Sequence, residues 1–328
     1  MGINLKQLLS DLCVGAPVSY QKIHLHPLRL ETSPKLEYLT LGENGANGMV
    51  TLEETNTAGT VGRLRVRNLS DQRVFILDGT TLTGSKQNRV VNLSVLLAPQ
   101  SVTDIPVSCV ERGRWWYTTQ SFSPSMPCDI GLRGQMCAGT TASLKQSKQV
   151  HVDQAAVWSH VDRMLGASGA CSPTQAYHAA FAQWDETLSD YHANLPLPES
   201  ASGVAVEVDG AFEVLDLFDK SETLANLWPR LVRSYSVAAL NPFAARGQSA
   251  SLKAFLEEAM AARPDAFESV GIGTTARIET PMAMGAALLY SEAIVHLSLF
   301  ANGTAKTQHQ QTAWSRDSRR RPWWRLWR

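Results

Sequence analysis

The chain has no C-x-x-C pair, although it carries five cysteines: Cys13, Cys109, Cys128, Cys137 and Cys171. An odd, thin count over 328 residues argues against a disulfide framework and for a reducing compartment. Neither sign of charge is in excess, because thirty Lys and Arg balance thirty Asp and Glu. A neutral chain has no global field to draw nucleic acid or an anionic membrane, so neither is an expected partner, and an anion would need a local patch. Long apolar runs are scarce. Met282–Phe300 approaches spanning length, but Glu292 and His296 inside it would be costly in lipid, and it reads as buried soluble structure. The opening MGINLKQLLSDL lacks the apolar run and small-residue cleavage site of a signal peptide, and Lys6 stands where a myristoylation site takes Ser or Thr. These absences predict a cytoplasmic protein. No fixed-period repeat is visible, and no histidine occurs between residues 27 and 150.

What is present is a 44% hydrophobic chain, ample for one large core or two ordinary ones. Residues 1–13 have the pattern of a short amphipathic helix. Residues 20–30, 37–41, 49–53, 63–68, 73–78, 90–97 and 101–110 read as short strands, and R-L-R-V-R-N at 63–68 alternates strictly. Helical spacing takes over at 153–165, 174–194, 221–235 (interrupted by Pro229) and 251–262. Residues 203–208 and 211–215 flank Asp209-Gly210, a strong hairpin dipeptide. Residues 270–279 and 284–300 return to strand texture, although the second also fits a helix. The order predicts an α+β fold: a β-rich N-terminal half over about 20–120, helices mainly in 150–262, and strands again at 270–300. One domain is expected over residues 1–300, followed by a disordered tail over 301–328 that ends RRRPWWRLWR.

Two polar clusters interrupt the apolar strands. The first is LTGSKQNRVVN, between VFILDG and LSVLLAP. Asp78, Lys86, Gln87, Asn88, Arg89 and Asn92 fall together there. Lys and Arg can neutralise phosphate or carboxylate, and the amides can read an amide or a sugar hydroxyl. A solvated hairpin loop explains the same residues. The second is IPVSCVERGRWW, where Glu111, Arg112 and Arg114 meet Trp115 and Trp116. Guanidinium with a large ring suits a nucleotide, phosphate on Arg and base on Trp. A strand end whose rings pack inward while its arginines reach outward explains it too.

Other motifs are weaker. Cys109 to Arg114 has the C-x₄-R length of a rhodanese-type loop, but WWYTTQSF after it reads as strand rather than the helix such a loop needs. His24-x-His26 with Glu31 gives half of a cupin-like metal motif whose second half is missing, and no metal is expected. GIGTTA at 271–276 matches G-x-G-x-x-A only as a string, because ARIET after it is strand-like. Arg277 and Glu279 share a strand face with opposite charges late in the chain and stay of interest, although an ordinary cross-strand ion pair explains them equally well.

LDGTTLTGSKQNRVVNLSVLL followed by IPVSCVERGRW resembles the ARG and Rhodanese-Phosphatase-superfamily-associated Protein domain, where ARG abbreviates ADP-ribosylglycohydrolase. Lys86, Gln87, Asn88, Arg89, Asn92, Ile105–Glu111 and Gly113–Trp115 match the family pattern. Ser85 replaces its usual Ala, and Thr80 its usual acidic residue. A looser match through EYLTL, VDGAFEVLDLF and Val295-His296-Leu297 extends it over most of residues 20–300. The resemblance implies NAD or ADP-ribose metabolism: binding of an ADP-ribose-like or other phosphorylated nucleotide, with hydrolysis or transfer as a further step. In that picture Lys86, Arg89 and Arg114 meet phosphates, Asn88 and Asn92 ribose hydroxyls, and Trp115 adenine. Asp78 and Gln87 complete the ligand set, Glu111 is the candidate general acid/base, and Asn88 is the second catalytic residue. No cofactor is implied. The alternative from another class is a non-enzymatic binding or scaffold module beside ADP-ribose-processing enzymes, with a protein partner and the polar cluster as a structural knot.

Overall fold

Strict alternation in Arg63–Asn68 produces what the pattern predicts: Leu64, Val66 and Asn68 are buried while Arg63 and Arg67 face solvent. The computed structural model describes residues 3–31, 36–43, 48–242 and 251–302. In it Arg63–Asn68 sits between Val50–Glu54 and Ser101–Cys109 in a six-stranded antiparallel sheet. That sheet continues through Arg89–Val91 and Thr80–Gly84 to Phe122–Pro127. A three-stranded sheet of Val95–Leu97, Arg73–Ile76 and Tyr38–Thr40 packs on it, with the last two strands parallel. Val74, Ile76, Val95 and Leu97 meet Leu64, Val66, Ile105 and Val107 in the shared core.

The second half of the chain builds a nine-stranded antiparallel sheet with the N-terminal strands at one end. Its centre is Gly203–Val208, Ala211–Phe218, Ala293–Ala301 and Ala283–Tyr290. Every residue of Ala211–Phe218 and of Ala293–Ala301 is buried, because the sheet is covered on both faces. One face packs on the helices Ile130–Ser147 and Ser221–Leu240 through Ile130, Cys137, Leu227, Leu231 and Tyr235. Phe255, Leu256 and Ala259 of the helix Leu252–Ala261 cover the other. The α+β class is therefore correct, with strands early, helices in the middle and strands at the end.

Several elements differ in detail. The helix Ile130–Ser147 begins before residue 150 and lies outside the expected helical region. Gly131, Gly134, Gly139, Thr140 and Thr141 blur its apolar period, and tertiary burial makes up for weak propensity. Asp129 caps it, accepting from the Gly131 and Leu132 amides. The stretch 174–194 holds two helices, His178–Gln183 and Asp185–Asn194. Pro229 does not break Ser221–Leu240, whose apolar side from Leu224 to Tyr235 is anchored in the core. At the N-terminus only Leu5–Leu8 is helical, and Leu12–Val14 is already a strand. WWYTTQSF is loop until Phe122. Residues 284–300 are a hairpin, turning at Ser291 and Glu292 with φ of 48° and 67°. Asp209 and Gly210 also take positive φ, as a two-residue hairpin turn requires. Residues 303–328, with the expected disordered tail, lie outside the described residues.

The small and large sheets are joined where Ile272 N–H donates to the Leu96 carbonyl at 2.8 Å. A Cβ on the neighbouring Gly271 would land on that same carbonyl oxygen. Gly271→Ala should therefore lower the stability in urea by about 1–3 kcal/mol, the cost of forced overpacking. An unchanged midpoint would show that this join yields freely.

Candidate functional site

The nominated polar residues separate into two assemblies at opposite ends of the three-residue strand Arg89–Val91. At its start, Asn88, Glu111 and Arg114 form a buried clamp. Arg114 donates to Glu111 Oε2 (Nε, 2.9 Å), to Asn88 Oδ1 (3.0 Å) and to the carbonyls of Gly84 (3.1 Å) and Ser85 (2.5 Å). The Asn88 amide N–H donates to Glu111 Oε2 at 3.1 Å, and Thr174 donates to Oε1 at 2.6 Å. Asn88 Oδ1 also closes the loop by accepting from the Gly84 N–H, and its Nδ2 meets His178 Nδ1 at 3.2 Å. Burial alone would raise the Glu111 pKa, but Arg114, Thr174 and the Asn88 amide outweigh it and hold the carboxyl below its ordinary value.

Lys86 is half-buried and donates to the carbonyls of Thr57 and Ala58, with its ammonium 4.9 Å from the Tyr117 ring centroid and 5.8 Å from that of Trp115. Arg89 is fully buried beneath Trp115, bonded to Gln87 and Cys109 and 3.6 Å from Glu54. Burial pushes the Cys109 thiol up despite Arg89, so this cysteine lacks the thiolate character a rhodanese-type loop needs. Trp115 itself is exposed, next to Trp116 and Tyr117.

At the far end of the strand, Asp78 and Asn92 belong to the second assembly. Arg133, from the helix Ile130–Ser147, is fully buried and forks between two carboxylates. It donates to Asp216 at 2.7 and 2.8 Å and to Asp78 at 3.1 and 3.2 Å. Asp216 stands in the all-buried strand Ala211–Phe218, where it also accepts from Tyr235 (2.6 Å) and lies 3.1 Å from His296 Nε2. Burial would raise the Asp216 carboxyl, yet Arg133 and then His296 hold it well below the carboxylate range. His296 Nδ1 lies 2.9 Å from Ser94 Oγ and 3.6 Å from Asp78 Oδ1; Ser94 Oγ donates to Asp78 Oδ1 at 3.1 Å and accepts from the Asp78 amide at 3.0 Å. Gly79 makes this approach possible: its φ is +77°, and a Cβ there would sit 2.6 Å from Arg133 Cγ.

A cavity of about 20 Å³ opens on this network, lined by Asp78, Asn92, Ser94, Arg277, His296 and Ser298 among others. That is room for a water or two, or for the small end of a larger molecule. Arg277 is the wall with spare donors; Arg89, equally buried, has the same two atoms without a hydrogen bond but keeps Glu54 at 3.6 Å. Arg277 is 2% exposed, its Nε and one Nη have no hydrogen-bond partner, and its other Nη is 3.8 Å from Cys137 Sγ. Burial lowers its pKa, with Cys137 and Asp78 opposing. A buried guanidinium without a paired carboxylate is expensive in a folded protein, and such a group suits an incoming anion.

The sequence therefore named both assemblies in part, and the structure divides them. Arg277 does not pair with Glu279 on its strand; Glu279 is exposed and bonded to Lys145. His24 and His26 do not converge on a third ligand; they meet Ser19 at 2.7 Å and Glu207 at 3.3 Å. Among the described residues no three His, Cys, Asp or Glu side chains gather as a metal site would require. Ser94, Arg133, Asp216 and Tyr235 escaped the sequence reading. The signal for Asp216 was there: a carboxylate inside an apolar run such as FEVLDLF, which carries Glu213 as well as Asp216, is almost never buried without a partner.

Asn88→Ala should cost about 1–3 kcal/mol in urea unfolding, because the Gly84 amide and Arg114 lose a buried acceptor. Retained stability would show that the clamp is dispensable. Truncating Arg133 to Leu should cost about 3–5 kcal/mol, since Asp78 and Asp216 would be left buried without their counter-ion. The depressed pKa values of Glu111 and Asp216 fix a sign: folding then favours the ionised forms, so their contribution is present at neutral pH. It is lost as pH falls from the ordinary values of 4.5 and 3.8 toward the lower folded-state values. Arg114→Ala, which frees the Glu111 carboxyl to titrate nearer its ordinary value, should flatten the acid limb of the stability curve; an unaltered limb would contradict this.

Among the described residues no helix is long and apolar enough to cross a membrane. No curated protein and no solved structure matches the chain significantly. The family comparison does find a match: residues 11–300 fit the profile of the ARG and Rhodanese-Phosphatase-superfamily-associated Protein domain, which takes in the clamp, the buried network and the cavity. The chain belongs to that family.

Proposed function

We propose that this protein binds a phosphorylated nucleotide of the ADP-ribose class by its anionic end, at the cavity walled by Arg277. The observation that carries the reading is the buried Arg277 guanidinium with two unpartnered donor atoms. Two free N–H directions from one planar group match a phosphate or carboxylate. Asp78 and Asn92, both nominated by the sequence, share the wall and offer acceptor and amide groups to a hydroxyl beside that anion. The cavity admits only the small end of the ligand, so the remainder lies outside it. On this reading the clamp of Asn88, Glu111 and Arg114 fixes the strand that delivers Asn92, and the acid–base work passes from Glu111 to the His296 side. The family's name, which associates it with ARG and phosphatase-superfamily proteins, supports a ligand from ADP-ribose metabolism.

A second reading has its own observation. Asn88, Glu111 and Arg114 are fully used by one another and by Thr174, His178 and the Gly84 and Ser85 backbone, as in a structural knot. A non-enzymatic module beside ADP-ribose-processing enzymes needs no more than that and a partner surface, for which the exposed run Trp115–Tyr117 is suited.

Thermal unfolding against ADP-ribose, NAD, AMP and inorganic phosphate decides between them. The first reading expects one nucleotide to raise the midpoint by an amount equivalent to about 2.7 kcal/mol at a hundredfold excess over its Kd. Arg277→Gln should abolish that shift while leaving the ligand-free protein as stable or more so, because an unpaired buried charge is removed. No shift with any ligand, together with a less stable Arg277→Gln protein, would sink it and favour the scaffold.

A further inference from the structure

Three residues far apart in sequence stand in line at the cavity. Ser94 lies just before the strand Val95–Leu97, His296 in the last strand of the large sheet, and Asp216 in the strand paired with it. His296 bridges the other two, Nδ1 to Ser94 Oγ at 2.9 Å and Nε2 to Asp216 Oδ1 at 3.1 Å. The one Ser94 hydroxyl proton has two acceptors in reach, Asp78 Oδ1 at 3.1 Å and His296 Nδ1 at 2.9 Å; with the Nε2 proton directed to Asp216, Nδ1 is free to take it once the hydroxyl turns from Asp78. Asp216 is in turn fixed by Arg133 and Tyr235, so the imidazole is held from behind by a carboxylate that cannot swing away. Ser94 Oγ accepts one hydrogen bond from the Asp78 amide, which leaves one lone pair for the cavity that Ser94 helps to line. Nucleophile within reach of base, and base within reach of an orienting group, is the geometry of an activated serine, whatever the chain order.

We infer that Ser94 is a nucleophile, His296 its general base and Asp216 the positioning residue, in a phosphoryl transfer from a phosphate ester whose anionic oxygens lie on Arg277. This rests on the proposed binding of a phosphorylated ligand at the same cavity and adds the reaction. Ser94 Oγ attacks phosphorus while its proton passes to His296 Nδ1. The bond from phosphorus to the leaving oxygen breaks, and that oxygen takes the proton from His296 as the alcohol departs. Water then attacks the phosphoserine and gives a proton to His296; the serine oxygen leaves with that proton, and inorganic phosphate is released. The sum is hydrolysis of the ester by one water, with every proton returned. Arg277 stabilises the charge on the equatorial oxygens without transferring a proton. Asp78 faces the same space, so a ligand with fewer negative oxygens beside it, or one presenting a hydroxyl to it, is favoured over free phosphate.

Monofluorophosphate is the smallest phosphoryl donor suited to so small a cavity, and fluoride release reads its turnover directly. The wild-type chain should release fluoride faster than buffer alone, and acid quenching followed by peptide mass spectrometry should find phosphate on Ser94. Ser94→Ala should abolish both signals. His296→Gln should slow the release about a hundredfold or more, the usual worth of a general base. Asp216→Asn should lower kcat with less effect on KM, whereas Arg277→Gln should raise KM. Thermal midpoints of each variant separate lost chemistry from lost folding. Fluoride release no faster than buffer in the stable wild-type protein overturns the inference whatever the variants do, as does release that persists in a folded Ser94→Ala protein. A nucleotide that binds and depends on Arg277, with no phosphoryl transfer, would refute the reaction and leave the binding reading standing.

Discussion

The fork of Arg133 between Asp78 and Asp216 is the interaction on which the rest of the molecule turns. Its partners lie 55 residues before it and 83 after it, one at the end of a strand pair in the first half, the other in the middle of the large sheet. A fully buried guanidinium cannot be left alone, and neither can two buried carboxylates; the fold is stable only when the helix, the turn and the sheet arrive together. That requirement reaches outward. Gly79 must lack a Cβ for Arg133 to pass, and Tyr235 on the longest helix spends its hydroxyl on Asp216. Asp129 caps the Arg133 helix four residues before the arginine and is itself held by His160 and Tyr177.

Charge arithmetic explains why the cavity is where it is. Arg133 faces two carboxylates, and Arg277 enters the same neighbourhood without a carboxylate bonded to it. The side chains of Asp78, Asp216, Arg133 and Arg277 therefore balance as a set, yet they are not evenly paired. The donors of Arg277 are left over on the cavity side, while the acceptors of Asp216 are fully used on the other. An asymmetry of this kind leaves unused donors at one wall. The clamp at the other end of Arg89–Val91 is the opposite case. Asn88, Glu111 and Arg114 leave nothing over, and Lys86 is absorbed by two carbonyls and two rings. Similar residue types thus serve as frame in one place and as an open wall in the other, according to whether the geometry uses up their hydrogen bonds.

Much of the architecture was legible in the chain. The alternation in Arg63–Asn68, the Asp209-Gly210 turn, the Ser251 cap and the order of strands, helices and strands all follow from local periodicity and turn chemistry. Two of the misplaced readings share one reason. Ile130–Ser147, rich in Gly and Thr, and Ser221–Leu240, with an internal Pro, are helices because the sheet beside them needs covering, and neighbouring burial outweighs weak propensity.

By itself the sequence determined the fold class, most strand and helix positions, the family, and the two stretches where polar groups concentrate. Those are consequences of near neighbours: alternation, caps, turns and short motifs act over a few residues. Only the tertiary structure decided which polar groups answer one another. It closed Glu111 onto Asn88 and Arg114, parted Arg277 from Glu279, and set Ser94, Asp216 and His296 in line across two hundred residues of chain. Hydrogen-bond satisfaction is fixed to within an ångström by the packing of sheets and helices, and no spacing along the chain records it.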